Sequence, residues 1–274
     1  MRRSSVRWRS ARVSCLPSAI CRRRSSTSSP ISSPRSTKPS RDSAQFAGQV
    51  RAMFDRVAGR YDLLNTLMSA GLHHGWRERA VGRAEVGRGD SVLDVCCGTG
   101  DLSFALARRI SPGGRVIGCD FSEPMLDLAR EKALERSLDG VRFEWADALR
   151  LPYDDESFDA VTVGFGVRNF ADRDAGLREM SRVLKVGGRL VVLEFTEPSR
   201  FPFSSFYSLW FDRISPLLGR LSADPEAYAY LAESVHSFPS PLELAAKMDA
   251  AGLERIRWTV LAGGIVTIHS GTRR

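Results

Sequence analysis

The chain has 274 residues, 43% hydrophobic and 26% charged, enough for one large domain, or a domain plus a tail, around a buried core. No run of 18 apolar residues exists, which excludes a membrane-spanning helix, and Cys15, Cys21, Cys96, Cys97 and Cys119 form no CxxC pair, which argues against a zinc site or disulfide framework. The net charge of +8 sits at one end: residues 1–41 hold ten Arg and one Lys with no acid, the other 233 residues carry 29 basic and 32 acidic groups, and the basic balance is therefore no argument for nucleic-acid binding.

Residues 1–44 are rich in Ser and Arg, low in aliphatics and broken by Pro17, Pro30, Pro34 and Pro39. Such a segment buries too little surface to offset its ordering entropy and reads as a disordered tail. Its composition fits an organelle transit peptide. The blander reading is a translated upstream extension in a GC-rich gene, since Arg outnumbers Lys 36 to 4. The folded domain is expected over 45–274. It opens on Phe46, Val50, Met53, Phe54 and Val57 at helical spacing, closing near Gly59.

The segment SVLDVCCGTGD (91–101) carries the most information. Val92–Val95 predicts a buried strand, Gly98-Thr99-Gly100 a tight turn, and Asp101 the start of a helix with Leu102, Ala105, Leu106 and Ile110 on one face. A second strand, Arg115–Cys119, ends at Asp120, 20 residues past Gly100. Strand, glycine loop, helix, strand and acid make the nucleoside-binding half of a doubly wound fold, in which the carboxylate accepts from both ribose hydroxyls. The third Gly of a dinucleotide fingerprint is missing, and Asp101 at the helix start would repel a diphosphate. The same acid suits a ligand with a sulfonium and an ammonium, which points to S-adenosylmethionine and away from NAD.

Val141–Ala146 predicts a third strand, followed by Asp147 and Ala148; Asp147 is placed either to bond an adenine amino group or to cap a helix. Phe158–Val163 predicts a fourth strand, with Phe165-Gly166 behind it where a substrate pocket should open. The segment 201–218 has six aromatics in its first eleven positions, and Phe203, Phe206, Tyr207, Trp210, Phe211 and Ile214 cover too much of a helix for one solvated face.

The DxxxGxG loop from Asp94, the acid after the second strand and the DALRLP segment (147–152) resemble class I S-adenosylmethionine-dependent methyltransferases. More narrowly, YDLLNTLMSAGLHHGW (61–76) and RVLKVGGRLVVLEFT (182–196) resemble the signature segments of the quinone-biosynthesis C-methyltransferases, and FGVRN (165–169), YLAESV (230–235) and AGGIVTIHSG (262–271) are similar to them. The likeness spans about 45–272. Leu64 stands where the first signature usually has Met, Cys96 where broader methyltransferases have Gly, and Gly164 where many members have Ser.

The resemblance implies an α/β fold with a doubly wound, mostly parallel, Rossmann-like sheet of seven strands and helices on both faces. It implies S-adenosylmethionine as methyl donor at Gly98, Thr99, Gly100, Asp120, Asp147 and Ala148, and a lipid quinol as substrate. The expected reaction is carbon methylation of demethylmenaquinol, or of the ubiquinone precursor, or of the phylloquinone precursor in a plastid. No metal and no nucleic acid are expected. Peripheral membrane contact and a homodimer are. The location follows the tail: cytoplasmic in a bacterium, or an organelle if the tail is a transit peptide. Arg168, Asn169, Asp101 and Tyr61 are the candidate catalytic residues, with His73 and His74 nearby; two adjacent His are not expected to face one site on a helix. Arg168 suits a phenolate and makes a poor base. Glu194 either contacts substrate or caps a loop. The aromatic segment is either a core helix or an apolar wall for an isoprenoid chain. From another class, a nicotinamide-dependent oxidoreductase lacks both the third Gly and a Tyr-x-x-x-Lys pair, and an RNA-binding module has only the tail in its support.

Overall fold

The computed structural model describes residues 41–62, 66, 69, 71–138, 140–198 and 225–274. Most of the basic tail and the aromatic segment 201–218 lie outside the described residues. Among those described, seven strands form one sheet: β1 (Ser91–Val95), β2 (Arg115–Asp120), β3 (Val141–Trp145), β4 (Phe158–Gly164), β5 (Leu184–Phe195), β6 (Leu253–Leu261) and β7 (Val266–Arg273). Their spatial order is β3-β2-β1-β4-β5-β7-β6. The first five are mutually parallel, and β7 runs antiparallel between β5 and β6. The expected fold class is present. The order reverses beside β1, so a crevice opens beyond the carboxyl ends of β1, β2 and β4, where doubly wound sheets bind ligands.

Period-two alternation places the two cores. Leu93 and Val95 of β1 join Val161, Val163, Leu190 and Val192 on one face. They are covered by Leu177 and Met180 of α5 (Arg173–Val183) and by Leu244 and Met248 of α7 (Pro241–Ala250). On the other face Val92, Ala160 and Val191 meet Trp76 and Ala80 of α2 (Leu72–Ala84) and Leu106 and Ile110 of α3 (Asp101–Ile110). Asp172 caps α5 by accepting from the Ala175 amide at 2.9 Å, and Ser240 with Glu243 forms a capping box on α7.

Boundaries differ from expectation at the edges. The helix before the glycine loop, α1 (Arg41–Val57), starts ahead of Phe46 and continues as a 3-10 turn, Ala58–Arg60. The third strand stops at Trp145 and the fourth extends to Gly164. In α3, Ser103, Phe104 and Ala107 are buried as well as the predicted face. This helix lies against α2, and its Phe104 ring meets Phe143 of β3 edge-on at 5.7 Å.

Asp94 is 1% exposed in the middle of this construction. It accepts from Ser103 Oγ at 2.6 Å and from Thr162 Oγ1 at 2.7 Å, tying β1 to α3 and β4. Burial raises its carboxyl to about 6 against the pull of those two hydroxyls. The first acid of the loop motif therefore fastens the frame around the ligand crevice.

His269 of β7 is fully buried, stacked on Trp258 at 5.8 Å, and Nε2–H donates to the Pro241 carbonyl at 3.0 Å. Nδ1 has no partner among the described residues. Burial lowers the imidazole from 6.5 to about 4, with the Pro241 bond opposing. The unfolded chain binds the proton first, so this contribution to stability is present above 6.5 and is lost as pH falls toward 4, reaching about 3 kcal/mol at the acid end. His269→Gln keeps the donor to Pro241 without the titration. Its Tm is therefore expected to drop less than the parent's between pH 7 and 4; identical pH profiles would refute this assignment.

Candidate active site

The loop after β1 is shaped by backbone that only some residues tolerate. Gly98 and Gly100 have φ of 54° and 88°, and the Gly100 amide closes the turn onto the Cys97 carbonyl at 3.0 Å. A methyl group on Gly100 would lie 2.8 Å from Phe143 and 2.9 Å from Phe104. Cys96, standing where glycine is usual, holds φ of 55°.

Asp120 ends β2 beneath this loop. Oδ2 accepts from the Gly98 amide at 2.9 Å and Oδ1 from the Ser122 amide at 3.0 Å. Burial raises its carboxyl above the usual carboxylate range, opposed by the Gly98, Ser122 and Phe121 amides. Asp120 is thus the prop of the loop, holding the Gly98 and Ser122 amides. The backbone of Ala146 bonds to the Asp120 carbonyl, which brings Asp147 and Ala148 alongside. Asp147 is exposed, and its Oδ1 accepts from the Leu149 amide at 2.9 Å in a local turn.

The N-terminal helix is buttoned onto the loop. Thr99 Oγ1 donates to Asp62 at 2.6 Å, Ser122 Oγ donates to Asp55 at 2.5 Å, and Phe54 packs edge-on against Phe121 at 6.3 Å. Asp62 also accepts from Lys132; burial raises its carboxyl, but the Lys132 and Thr99 bonds outweigh that and hold it below the usual range. Tyr61 lies over Gly98, with its ring 3.7 Å from where a Cβ would stand. Asp55, Asp62 and Lys132 escaped the sequence reading. Asp62 follows Tyr61 inside the first signature, so a signal for it existed; Lys132 had none.

Two expectations around Asp101 are corrected. Its charge is not available to attract a cationic ligand: Arg77 Nη1 donates to Oδ2 at 2.9 Å and Lys132 Nζ stands 3.7 Å from Oδ1. The argument from Asp101 against a diphosphate therefore carries no weight. His73 and His74 do face one place, with ring centroids 4.0 Å apart and a nitrogen of each within 4.8 Å of an Asp101 oxygen. Both belong to the first turn of α2, where side chains reach past the helix end. His73 is buried, bonded to Ser69 through Nδ1 at 2.7 Å, and held to about 4 by burial and by Arg77. It is neutral at physiological pH.

A second cluster forms where β4 ends. Phe165 has φ of 60°, a strained value for an aromatic residue, and donates its amide to the Leu193 carbonyl at 2.7 Å. A methyl group on Gly166 would lie 2.6 Å from Cys96 Cβ, so the exits of β1 and β4 touch. The 3-10 turn Val167–Asn169 then presents Arg168 to Glu194 of β5. Nη1 donates to Oε1 at 2.7 Å, the Arg168 amide to Oε2 at 3.3 Å, and the Phe195 amide to Oε1 at 2.9 Å. Glu194 has no exposure, and of the two roles expected from sequence it fills the second: it caps the turn after β4 through the Arg168 amide, and it anchors the Arg168 side chain as well. Burial works against the guanidinium's charge, but the charge of the Glu194 carboxylate and the hydrogen bond to it outweigh this and raise its pKa. Tyr230 of α6 (Pro225–His236), the first residue of the YLAESV segment, to which sequence gave no role, donates Oη–H to Asn169 Oδ1 at 3.0 Å.

The structure thus gathers Tyr61, Arg168 and Asn169 around the β4 exit, next to the glycine loop and Asp120. Asp101 lies with Arg77 and the two histidines, and Lys132 links it to Asp62 and so to the glycine loop. A glycine loop over a buried carboxylate, with a buried cation two strands away, can hold a nucleoside and stabilise negative charge on a second molecule.

Comparison with known proteins gives a consistent result. Residues 41–273 match the sequence model of the ubiE/COQ5 methyltransferase family. A protein of Thermus thermophilus named demethylmenaquinone methyltransferase is 50% identical over 81% of this chain and 100% of its own length. A protein of Stenotrophomonas maltophilia named ubiquinone/menaquinone biosynthesis C-methyltransferase UbiE is 46% identical over 84% of this chain and 91% of its own. Among solved structures, an S-adenosylmethionine-dependent methyltransferase of Aquifex aeolicus shares the fold, with a TM-score of 0.54, 20% identity and coverage of 72% of this chain and 89% of its own.

Asp120→Ala removes a charged acceptor that also holds two backbone amides. Calorimetry is expected to show S-adenosylmethionine bound at least about tenfold more weakly, with Tm lowered because the Gly98 and Ser122 N–H groups lose their partner. Equal affinity in variant and parent would contradict the placement of the ribose at Asp120.

Proposed function

The chain belongs to the ubiE/COQ5 methyltransferase family, and on that premise we propose that its substrate is a polyprenyl naphthoquinol, demethylmenaquinol, methylated at a ring carbon. S-adenosylmethionine, when bound, supplies the electrophilic methyl group. The observation that carries the reading is the buried Arg168–Glu194 pair in the turn that also holds Asn169. A quinol ring carbon becomes nucleophilic when a ring hydroxyl is deprotonated, and the group best suited to hold the resulting oxyanion is a fixed, desolvated cation.

The residues at the carboxyl ends of β1 and β2 fit the methyl donor. Asp120 is a buried acceptor for ribose hydroxyls, and the loop glycines leave the backbone open to close approach. Arg77 and Lys132, beside the start of α3, are already paired with Asp101 and Asp62 and add positive charge at the mouth of the loop. On the substrate side, Arg168 orients and stabilises the oxyanion and does not take up the proton, since its pairing with Glu194 favours the charged form. Tyr61, over Gly98 and within the field of Arg168, bridges the two halves.

A polyprenyl quinol resides in a bilayer. Among the described residues no helix is long and apolar enough to cross a membrane. From the apolar tail of such a quinol we propose that the encounter with substrate takes place at a membrane surface. A second reading, action on the benzoquinol precursor of ubiquinone as well, is favoured by the relative of Stenotrophomonas maltophilia whose name covers both pathways.

Purified protein supplied with S-adenosylmethionine and either quinol, with products read by mass spectrometry, separates these readings. Methylated naphthoquinol at the higher kcat/KM is expected, and turnover of the benzoquinol alone would overturn the main reading. Arg168→Lys keeps the charge opposite Glu194 but loses the planar fork; kcat is expected to fall at least about tenfold with affinity for the methyl donor retained. Unchanged kcat would remove Arg168 from the chemistry.

A further inference from the structure

Asn169 is half-buried and held by its own turn, its amide donating to the Gly166 carbonyl at 3.0 Å. Its side chain has two different ends, a carbonyl that accepts and an NH2 that donates, on opposite sides of one planar carbon. Tyr230 Oη–H donates to Oδ1, which fixes the carbonyl end toward α6 and turns the NH2 away from it. The neighbouring Arg168 is treated in the same way. Glu194 and the Phe165 carbonyl take Nη1, while Nε–H is buried with no partner among the described residues. A buried donor without an acceptor is a standing cost that a ligand oxygen would relieve.

We infer that Tyr230 is a positioning residue: by holding Asn169 Oδ1 it directs the amide NH2 toward the same substrate oxygen that Arg168 stabilises, so that the two donors form one oxyanion site. The ligand class is a ring hydroxyl that ionises, and the inference rests on the quinol reading given above. Neither Arg168 nor Asn169 selects its own direction. The first is set by a carboxylate from β5 and the second by a hydroxyl from α6, 61 residues further along the chain.

The docking of α6 does not depend on this bond. Arg173 donates from Nη1 to the Ser237 carbonyl at 3.0 Å and from Nη2 to the Arg168 carbonyl at 3.4 Å, and it lies over the Phe238 ring at 5.5 Å. Val235 is buried near Phe195 and Ile265. The Tyr230 ring itself meets Phe46 of α1 at 6.5 Å, a contact that phenylalanine preserves. Tyr230→Phe therefore removes one hydrogen bond while the packing stays.

The test is a double-mutant cycle with Tyr230→Phe, Asn169→Ala and the double variant, assayed with S-adenosylmethionine and both quinols, with Tm measured in parallel. Tyr230→Phe is expected to lower kcat at least about tenfold while both KM values stay within about twofold and Tm barely moves. The double variant is expected to be no slower than Asn169→Ala, because the hydroxyl acts only through that amide. Losses that multiply, or a variant with the parent's kcat, would overturn the inference and leave the quinol reading intact. A parent inactive on both quinols would overturn the reading and the inference together.

Discussion

The buried pair of Arg168 and Glu194 is the constraint to which the exit of β4 conforms. Taking a guanidinium and a carboxylate out of water costs several kcal/mol per ion, which is recovered only when geometry and remaining hydrogen bonds are good. Here Glu194 accepts from the Arg168 side chain, the Arg168 amide and the Phe195 amide. Its partner reaches it because β4 and β5 pair in parallel with Gly164 opposite Leu193, so the turn that leaves β4 passes over the end of β5. The positive φ of Phe165 and the close approach of Gly166 to Cys96 are the local strain that this crossing requires. The buried cation is locked in place by the sheet itself, which is the fixed geometry that the proposed oxyanion role asks of it.

The side of the glycine loop follows a different rule. Asp120, Asp55 and Asp62 each bond a backbone amide or hydroxyl of the glycine loop or of the segment after β2. The helix that precedes the Rossmann-like unit in sequence is therefore part of the crevice wall. Tyr61 sits where the two sides meet, against Gly98 and near Arg168, so the first signature segment packs on the glycine loop although it lies outside the doubly wound unit.

The frame was legible because its signals are local. The unbroken apolar run of β1, the glycines at 98 and 100, and an acid closing β2 each follow from residues a few positions apart, and the motif residues match a known family. What escaped has its partner far away in sequence. The neutralisation of Asp101 depends on Arg77 and Lys132, the anchoring role of Glu194 on a turn 26 residues earlier, and the orientation of Asn169 on Tyr230. The two adjacent histidines were misread because helical periodicity was applied to a first turn, where side chains extend beyond the helix end. The expectations for the basic tail and for the aromatic segment fall outside the described residues, so an isoprenoid wall there stands on composition alone.

The central claim, that a permanently charged Arg168 stabilises a ring oxyanion, is tested most directly by the ionisation of a bound naphthol that cannot be methylated. Its absorbance is titrated against pH in the complex with S-adenosylhomocysteine. The account predicts that the phenolate band appears at least about one pH unit lower in the complex than in water. A bound naphthol that ionises at its free value, or above it, would contradict the account.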